Sequence, residues 1–541
     1  MVYRSSALTA FAPLAFFLVS AMSGCGSSSN SSNGDTPTTP ATSTPAPTKS
    51  TTPAPTPATK PAPAPAPVAP PVAAVKAGDA CLPSTMPSAN TLFNASKKVF
   101  AHYFHPFPVS IDNAASAKDY YNTQYLSKTG ELDKWSDQGG YLRQRPLGVA
   151  VSTKATWPQL NMESEVRAAI ARGVTGFTFD VLSASDAATN GRLHLMLAAA
   201  HAVDSRFKIV VMPDLVSLGS DSDAVVSIIA SAASSPAAYR LSDGRLVVSA
   251  FDAGLNSPAW WQSVISRLTA QGIHIAFVPT FLAWPATADA FAAFSYGFAD
   301  WGAATVPASS AMQDDPEIIH STYGKIYMMP VDPQQYRPKD FLFWEAGNSA
   351  TYREAWTGSI KGDADWVQLV TWNDFSESSA ISPSTDATLQ RSIGTGYYNL
   401  TGYYAAWFLT GQQPQITHDV LYYFYRREAT TSAGPAQTQR DIIATGAAQN
   451  EIELLAFLTS PGVLKITIGG KTYTQNAAAG MVSFSVPSQA GTPVFALSRS
   501  GADVISFKGG VQIYGAGGLP SGVQDLTYWN GSASKAGVCS L

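Results

Sequence analysis

One pattern recurs between residues 98 and 410: a short apolar run rich in β-branched and aromatic side chains, a polar loop, then a stretch with apolar positions every three or four residues. The runs are VFAHYF at 99, GFTFDV at 176, KIVVMP at 208, RLVVSA at 245, HIAFVP at 274, FSYGFA at 294, KIYMMP at 325 and WVQLVT at 366. Helical stretches between them include MESEVRAAIARG, GRLHLMLAAAHAVD, SDAVVSIIASAA, PAWWQSVISRLTAQG and TYREAWTGSI, closed by GYYNLTGYYAAWFLTG. Eight strand–helix units predict a parallel (β/α)8 barrel of the TIM type over 79–424. Helices are short in the fifth and sixth units, and DFLFWEAG at 340 reads either as an extra strand or as a loop insertion.

Beyond Thr410 the period changes from helical to alternating. IELLAFL, GVLKITIGG, KTYTQNA, GMVSFSVP, TPVFALSR, ADVISFKGG and VQIYGA are short runs separated by Gly or Pro turns. They predict a C-terminal antiparallel β-sandwich over 425–541. It carries few exposed-looking aromatics beyond Tyr473 and Tyr514, so a buttress for the barrel is the expected role ahead of a separate binding module.

At the other end, Arg4 precedes the apolar stretch ALTAFAPLAFFLVSAM, which is short for a membrane span, and MSGC puts small residues before Cys25. Residues 1–25 read as a lipoprotein signal with Cys25 as the lipidated first residue, or as a plain secretory signal cleaved nearby. Either sends the chain out of the cytoplasm, to an outer membrane or cell surface or into the medium. Residues 26–78 are Ser, Thr, Pro and Ala with almost no large side chains, the composition of an extended tether.

Composition narrows the function. The chain has 541 residues, a formal net charge of -4 and only 13% charged residues, against the usual quarter. No basic face suggests nucleic acid, and membrane contact is expected only through the N-terminal lipid. Three cysteines and seven histidines show no zinc spacing and no HExxH, so no metal or cofactor is expected, and a monomer is. Cys81 and Cys539 flank the folded part, and in an exported chain they are expected to pair, the alternative being two buried free thiols.

With so few charges, the acids that follow the apolar runs stand out, because barrel active sites lie at the C-terminal ends of the strands. His102, Tyr103 and His105 close the first run, Asp180 the second, Asp214 the third, Asp252 the fourth, Asp300 with Trp301 the sixth and Asp332 the seventh. After the eighth comes TWNDFSES, with Trp372, Asn373, Asp374 and Glu377. An Asp after a strand is often a helix cap or turn residue, a reading that stands equally for Asp214, Asp252 and Asp332. Two carboxyls on one turn repel, and glycoside cleavage needs such a pair: an acid for the departing oxygen and a carboxylate for water or the oxocarbenium-like sugar. Trp284, Trp301, Trp344, Trp356 and Trp372 are candidates either to stack on sugar rings or to fill the core.

KKVFAHYF, ARGVTGFTFDV, DWVQLVTWNDFSESSAISP and HDVLYYFYRREA resemble glycoside hydrolase family 71, the endo-acting α-1,3-glucanases also called mutanases, over roughly residues 97 to 500. The Trp-Asn-Asp-aromatic-small-Glu-Ser block is the most specific motif. The resemblance implies inverting hydrolysis of α-1,3-glucan without a cofactor. It places Asp374 and Glu377 in the catalytic roles, with a further acid at Asp180, where many members carry Asn. Glu377, with the longer reach, is the expected acid and Asp374 the expected base or substrate-orienting carboxylate, with Asp180 in reserve as the base. His102, Tyr103, His105, Asp214, Asp252, Trp284, Trp301, Trp372 and Asn373 are the expected substrate contacts. A departure is the long loop after AHYF. The alternatives are a glycosidase of another linkage, akin to the α-mannan-cutting relatives, or a non-catalytic carbohydrate-binding surface lipoprotein.

Overall fold

The computed structural model describes residues 80–188, 191–302, 304–385, 392–432, 441–442 and 448–539. The expected leader, Cys25 and the tether lie outside the described residues. All eight apolar runs become strands: β1 Lys98–Tyr103, β2 Gly176–Val181, β3 Lys208–Pro213, β4 Leu246–Ala250, β5 Ile275–Phe281, β6 Gly297–Asp300, β7 Ile326–Val331 and β8 Trp366–Leu369. They pair in parallel, each with its chain neighbour, and β8 closes on β1. A strand with helices outside and packed side chains inside is buried on both faces, which is why the sequence shows continuous apolar runs.

One residue parity fills the barrel. Phe100, Val210, Val247, Ala276, Val278, Ala299, Met328 and Trp366 form one buried cluster inside it. The other parity, including Val99, Ala101, Tyr103, Phe177 and Phe179, joins the larger cluster shared with helices such as Trp157–Ile170 and Arg192–Val203. The fifth unit carries the short helix Ala288–Phe291, and the sixth carries Val306–Ala311 followed by the longer helix Asp315–Tyr323. The DFLFWEAG segment is a loop insertion: Leu342–Trp344 pairs antiparallel with Gln335–Arg337 outside the barrel.

Helix Thr395–Thr410 is buried around nearly its whole circumference. It lies between the barrel and a five-stranded antiparallel sheet in the order Gly480–Pro487, Glu451–Leu458, Val420–Arg426, Tyr528–Ser534 and Gly537–Val538. A four-stranded sheet, in the order Lys471–Ala477, Gly462–Ile468, Val494–Arg499 and Ala502–Lys508, forms the other sandwich layer. Strand Val420–Arg426 reads VLYYFYR because both its faces are covered. Tyr422 and Phe424 join the barrel-side cluster, and Leu421, Tyr423 and Tyr425 the sandwich core. The expected boundary between 424 and 425 falls inside this strand. VQIYGA forms no strand, and only Ile513 bridges to Gly491. The bond between Cys81 and Cys539 is formed.

Candidate active site

The parity that sends Phe100 inward sends His102 inward two residues later, at the C-terminal mouth. Asp180 is registered beside Met212 on β3 and follows inward Gly176 and Thr178 on β2. The imidazole Nε2 of His102 lies 3.7 Å from Asp180 Oδ2, and the edge of the ring meets Trp301 at 4.7 Å. Phe251 closes the same side, 4.7 Å from Trp301. Burial pulls His102 down to about 3, so the ring is neutral. Burial, followed by the nearby charges of Asp214 and Asp374, pushes Asp180 well above the carboxylate range. Asp180 Oδ1 and His102 Nδ1 are buried with no hydrogen-bond partner among the described residues.

The eighth loop brings the acid pair alongside. Asp374 N donates to Thr371 Oγ1 at 2.7 Å. Asp374 Oδ1 accepts from Ser376 N at 2.8 Å, Ser376 Oγ at 2.7 Å and Glu377 N at 3.1 Å, a turn closed by its own side chain. Burial lifts the Asp374 carboxyl to about 7, and the charge of Glu377 pushes the same way. Glu377 is held differently. Arg337 Nη2 pairs with its Oε1 at 2.9 Å, and Gln335 Nε2 donates to its Oε2 at 2.6 Å. Each oxygen of Glu377 thus carries a donor, and one of the two donors is a cation. Asn373 staples the first loop to the eighth: its Oδ1 accepts from Phe104 N at 2.8 Å, and its Nδ2 donates to the carbonyls of Phe104 and Phe107.

More acids ring the mouth. Asp332 is raised by burial and then by Glu377 and Asp300, and burial lifts Asp300 to about 7. Asp214 caps a short helix through Ser217 N at 2.8 Å and is pushed up to about 6 by burial. Asp252 is half-buried, with a left-handed φ of 47°.

Other expected contacts lie elsewhere. Tyr103 has the opposite parity to His102; it points out of the barrel, fully buried, and donates to Glu165 Oε2 at 2.8 Å. It offers no face to a sugar. Trp284 is buried with its Nε1 donated to Asp315, Trp372 packs on Phe177 and Tyr398, and Trp356 lies inside its helix against Tyr404. His105 stacks on Phe179 and reaches Asp186 at 3.1 Å. Trp344 lies under the Arg337 guanidinium, 5.0 Å away. Of the expected platforms, Trp301 is the one placed beside His102 and partly exposed. Sequence reasoning missed Gln335 and Arg337. The one signal for Arg337 is its charge, a cation in QQYRPKD just past an acid-bearing strand end.

A closed parallel barrel with paired carboxyls over its C-terminal mouth, set in unlike surroundings, defines a glycoside hydrolase. The chain belongs to glycosyl hydrolase family 71, which its residues 149–540 match. Among curated relatives, glucan endo-1,3-alpha-glucosidase agn1 of Schizosaccharomyces pombe is 27% identical over 372 residues, 64% of this chain and 86% of that one. Mutanase Pc12g07500 of Penicillium rubens is 26% identical over 247 residues, covering 43% of this chain and 52% of that one. The ascus wall endo-1,3-alpha-glucanase of S. pombe is 24% identical over 256 residues, covering 44% and 57%. The alignments thus span about half the length of the last two. A solved structure of the GH99 endo-alpha-mannosidase from Bacteroides thetaiotaomicron matches at 17% identity and a TM-score of 0.42, covering 57% of this chain and 97% of that one. That likeness is too loose to bear on activity.

Proposed function

We propose that this glycoside hydrolase cleaves α-1,3-glucan within the polymer and with inversion of the anomeric carbon. The names of the curated relatives and the family resemblance support the substrate. The observation that carries the chemistry is the contrast between Asp374, buried with its proton held to about 7, and Glu377, whose two oxygens accept from Arg337 and Gln335. Environments that separate two carboxyls in this way divide the labour of acid and base. Asp374 is the acid that protonates the leaving oxygen, and Glu377 is the carboxylate that activates water. This reverses the expectation drawn from side-chain reach. Asp180, neutral beside neutral His102, hydrogen-bonds the sugar.

Asp374→Asn and Glu377→Gln should each lower turnover by about a hundredfold or more while the fold is kept. An α-glucosyl fluoride substrate, whose leaving group needs no proton, should restore turnover to Asp374→Asn and not to Glu377→Gln; the opposite pattern exchanges the roles. NMR of the first product from α-1,3-glucan should show the β-anomer, and an α-anomer would refute inversion. Release of sugar from β-glucan or mannan in preference to α-1,3-glucan would overturn the substrate.

We also propose that the protein is exported and tethered by a lipid on Cys25, as MSGC suggests. Cys25→Ser should shift it from the membrane fraction to the soluble one. Continued sedimentation with membranes would end that reading.

A further inference from the structure

The clamp on Glu377 sits on a strand outside the barrel, joined to the eighth loop by Tyr336 N, which donates to Glu377 O at 2.8 Å. Residues 334–337 follow β7, and their side chains alternate in direction. Gln335 and Arg337 face Glu377, at 2.6 and 2.9 Å. Gln334 and Tyr336 face the sandwich. Tyr528 N donates to Gln334 Oε1 at 2.7 Å, Gln334 Nε2 donates back to Tyr528 O at 3.5 Å, and Tyr336 Oη donates to Gln524 O at 3.0 Å. Gln524 O takes a second bond, from Arg143 Nε at 2.6 Å. Gln334, Gln335 and Tyr336 are all buried.

A buried ion pair fixes the sandwich side of this arrangement. Arg426 Nη1 meets Glu345 Oε2 at 3.0 Å, Arg426 Nε donates to Leu526 O at 2.9 Å, and the guanidinium lies 4.0 Å from the ring centre of Tyr528. Tyr528 Oη bonds Glu345, which belongs to the segment immediately after the ribbon strand Leu342–Trp344. Breaking one partner of such a pair leaves an uncompensated buried charge, so the segment has little freedom to move.

We propose that the β-sandwich is a positioning part of the active site: Gln334 and Tyr336 transmit its position to Gln335 and Arg337, and these fix the Glu377 carboxylate. The inference rests on Glu377 being the carboxylate that activates water. A glutamate side chain has several rotamers, and one donor on each oxygen selects a single one. A misplacement of about 1 Å at a reacting group costs on the order of a hundredfold in rate. The sandwich therefore governs turnover with no contact to substrate. Charged or titratable groups near Glu377 are Arg337, Asp374 and Asp332, and Lys339 lies near Asp374.

Full-length Tyr336→Phe, Gln334→Ala, their double variant, Arg337→Gln and Arg337→Lys test it, with kcat and KM on α-1,3-glucan and the melting temperature as readouts. Tyr336→Phe keeps the ring and removes the hydroxyl that donates to Gln524 O; it should lower kcat about tenfold with KM nearly unchanged. Arg337→Gln should lower kcat with KM nearly unchanged, because the Glu377 carboxylate loses the donor on its Oε1. Arg337→Lys should restore only part of kcat, since a lysine lacks the planar fork. Wild-type kcat in the folded double variant, or in Tyr336→Phe where the double variant does not fold, overturns the proposal, as does wild-type kcat in Arg337→Gln. Retained turnover in Glu377→Gln would instead remove the reading beneath it. An inactive Glu377→Gln beside an unaffected Tyr336→Phe removes only the sandwich link.

Discussion

Asp374 shows how one carboxyl comes to hold a proton near neutrality. Three donors on Oδ1 favour its charged form, yet burial outweighs them and the charge of Glu377 adds to burial, leaving the group at about 7 against 3.8 for an ordinary aspartate. Between those two values the folded protein keeps a proton that the unfolded chain releases. The stability this group contributes is therefore present below about 3.8 and lost as pH rises through about 7. Asp300, also lifted to about 7, adds to the same slope. An asparagine accepts the same bonds through its carbonyl oxygen and cannot ionise. Asp374→Asn should thus melt several degrees above wild type at pH 8 and converge with it at pH 4, as followed by circular dichroism. Equal melting temperatures at pH 8 would show that the buried carboxyl costs the fold nothing. A gain in stability together with a loss of turnover is what a residue set for chemistry rather than for folding should give.

At the scale of elements, the same rule explains what the sequence shows and what it hides. Barrel strands are legible because both their faces are buried, so each announces itself as an apolar run; only FSYGFA is displaced, its first three residues preceding β6 at Gly297. The acids after the runs are legible for a related reason: in a chain with 13% charged residues, a carboxyl at a strand end is rarely there by chance. Direction is harder. His102 and Tyr103 are adjacent and equally plausible as ligands, and only the register, with Phe100 inside the barrel, sends one to the mouth and the other to Glu165. The ribbon strand Gln335–Arg337 and the strand Tyr528–Ser534 escape altogether. QQYR and YWNGSAS carry no apolar periodicity, and Gln334 meets Tyr528 across 194 positions. Contacts that distant leave no local trace, which is why the two residues that hold Glu377 were not anticipated. Loop tryptophans are ambiguous for another reason: an indole is fit both for core and for sugar, and the bond from Trp284 to Asp315 settles that case in favour of the core.

For the whole molecule, the two ends of the described chain are tied to the five-stranded sheet to which Gln334 is bonded. Cys81 is bonded to Cys539 across 458 positions. Around that bond, Tyr422 Oη donates to Cys81 O at 2.9 Å, Thr417 N donates to Pro83 O at 2.8 Å, and Cys539 N donates to Ser532 O at 2.8 Å. The disulfide thus joins the N-terminal segment to strands Val420–Arg426 and Tyr528–Ser534, the second of which begins at the residue bonded to Gln334. Closing a loop this long removes much freedom from the unfolded chain, and natural disulfides of this kind contribute about 2–5 kcal/mol. The variant with both Cys81 and Cys539 changed to Ser should unfold at a clearly lower denaturant concentration than wild type. Its kcat at 25 °C should stay close to wild type, because the ladder between the two strands still holds Tyr528 in place. A large fall in kcat without unfolding would mean that the covalent tie itself sets the clamp. Free thiols beyond Cys25 in denatured, unreduced wild-type protein would show that the bond does not form.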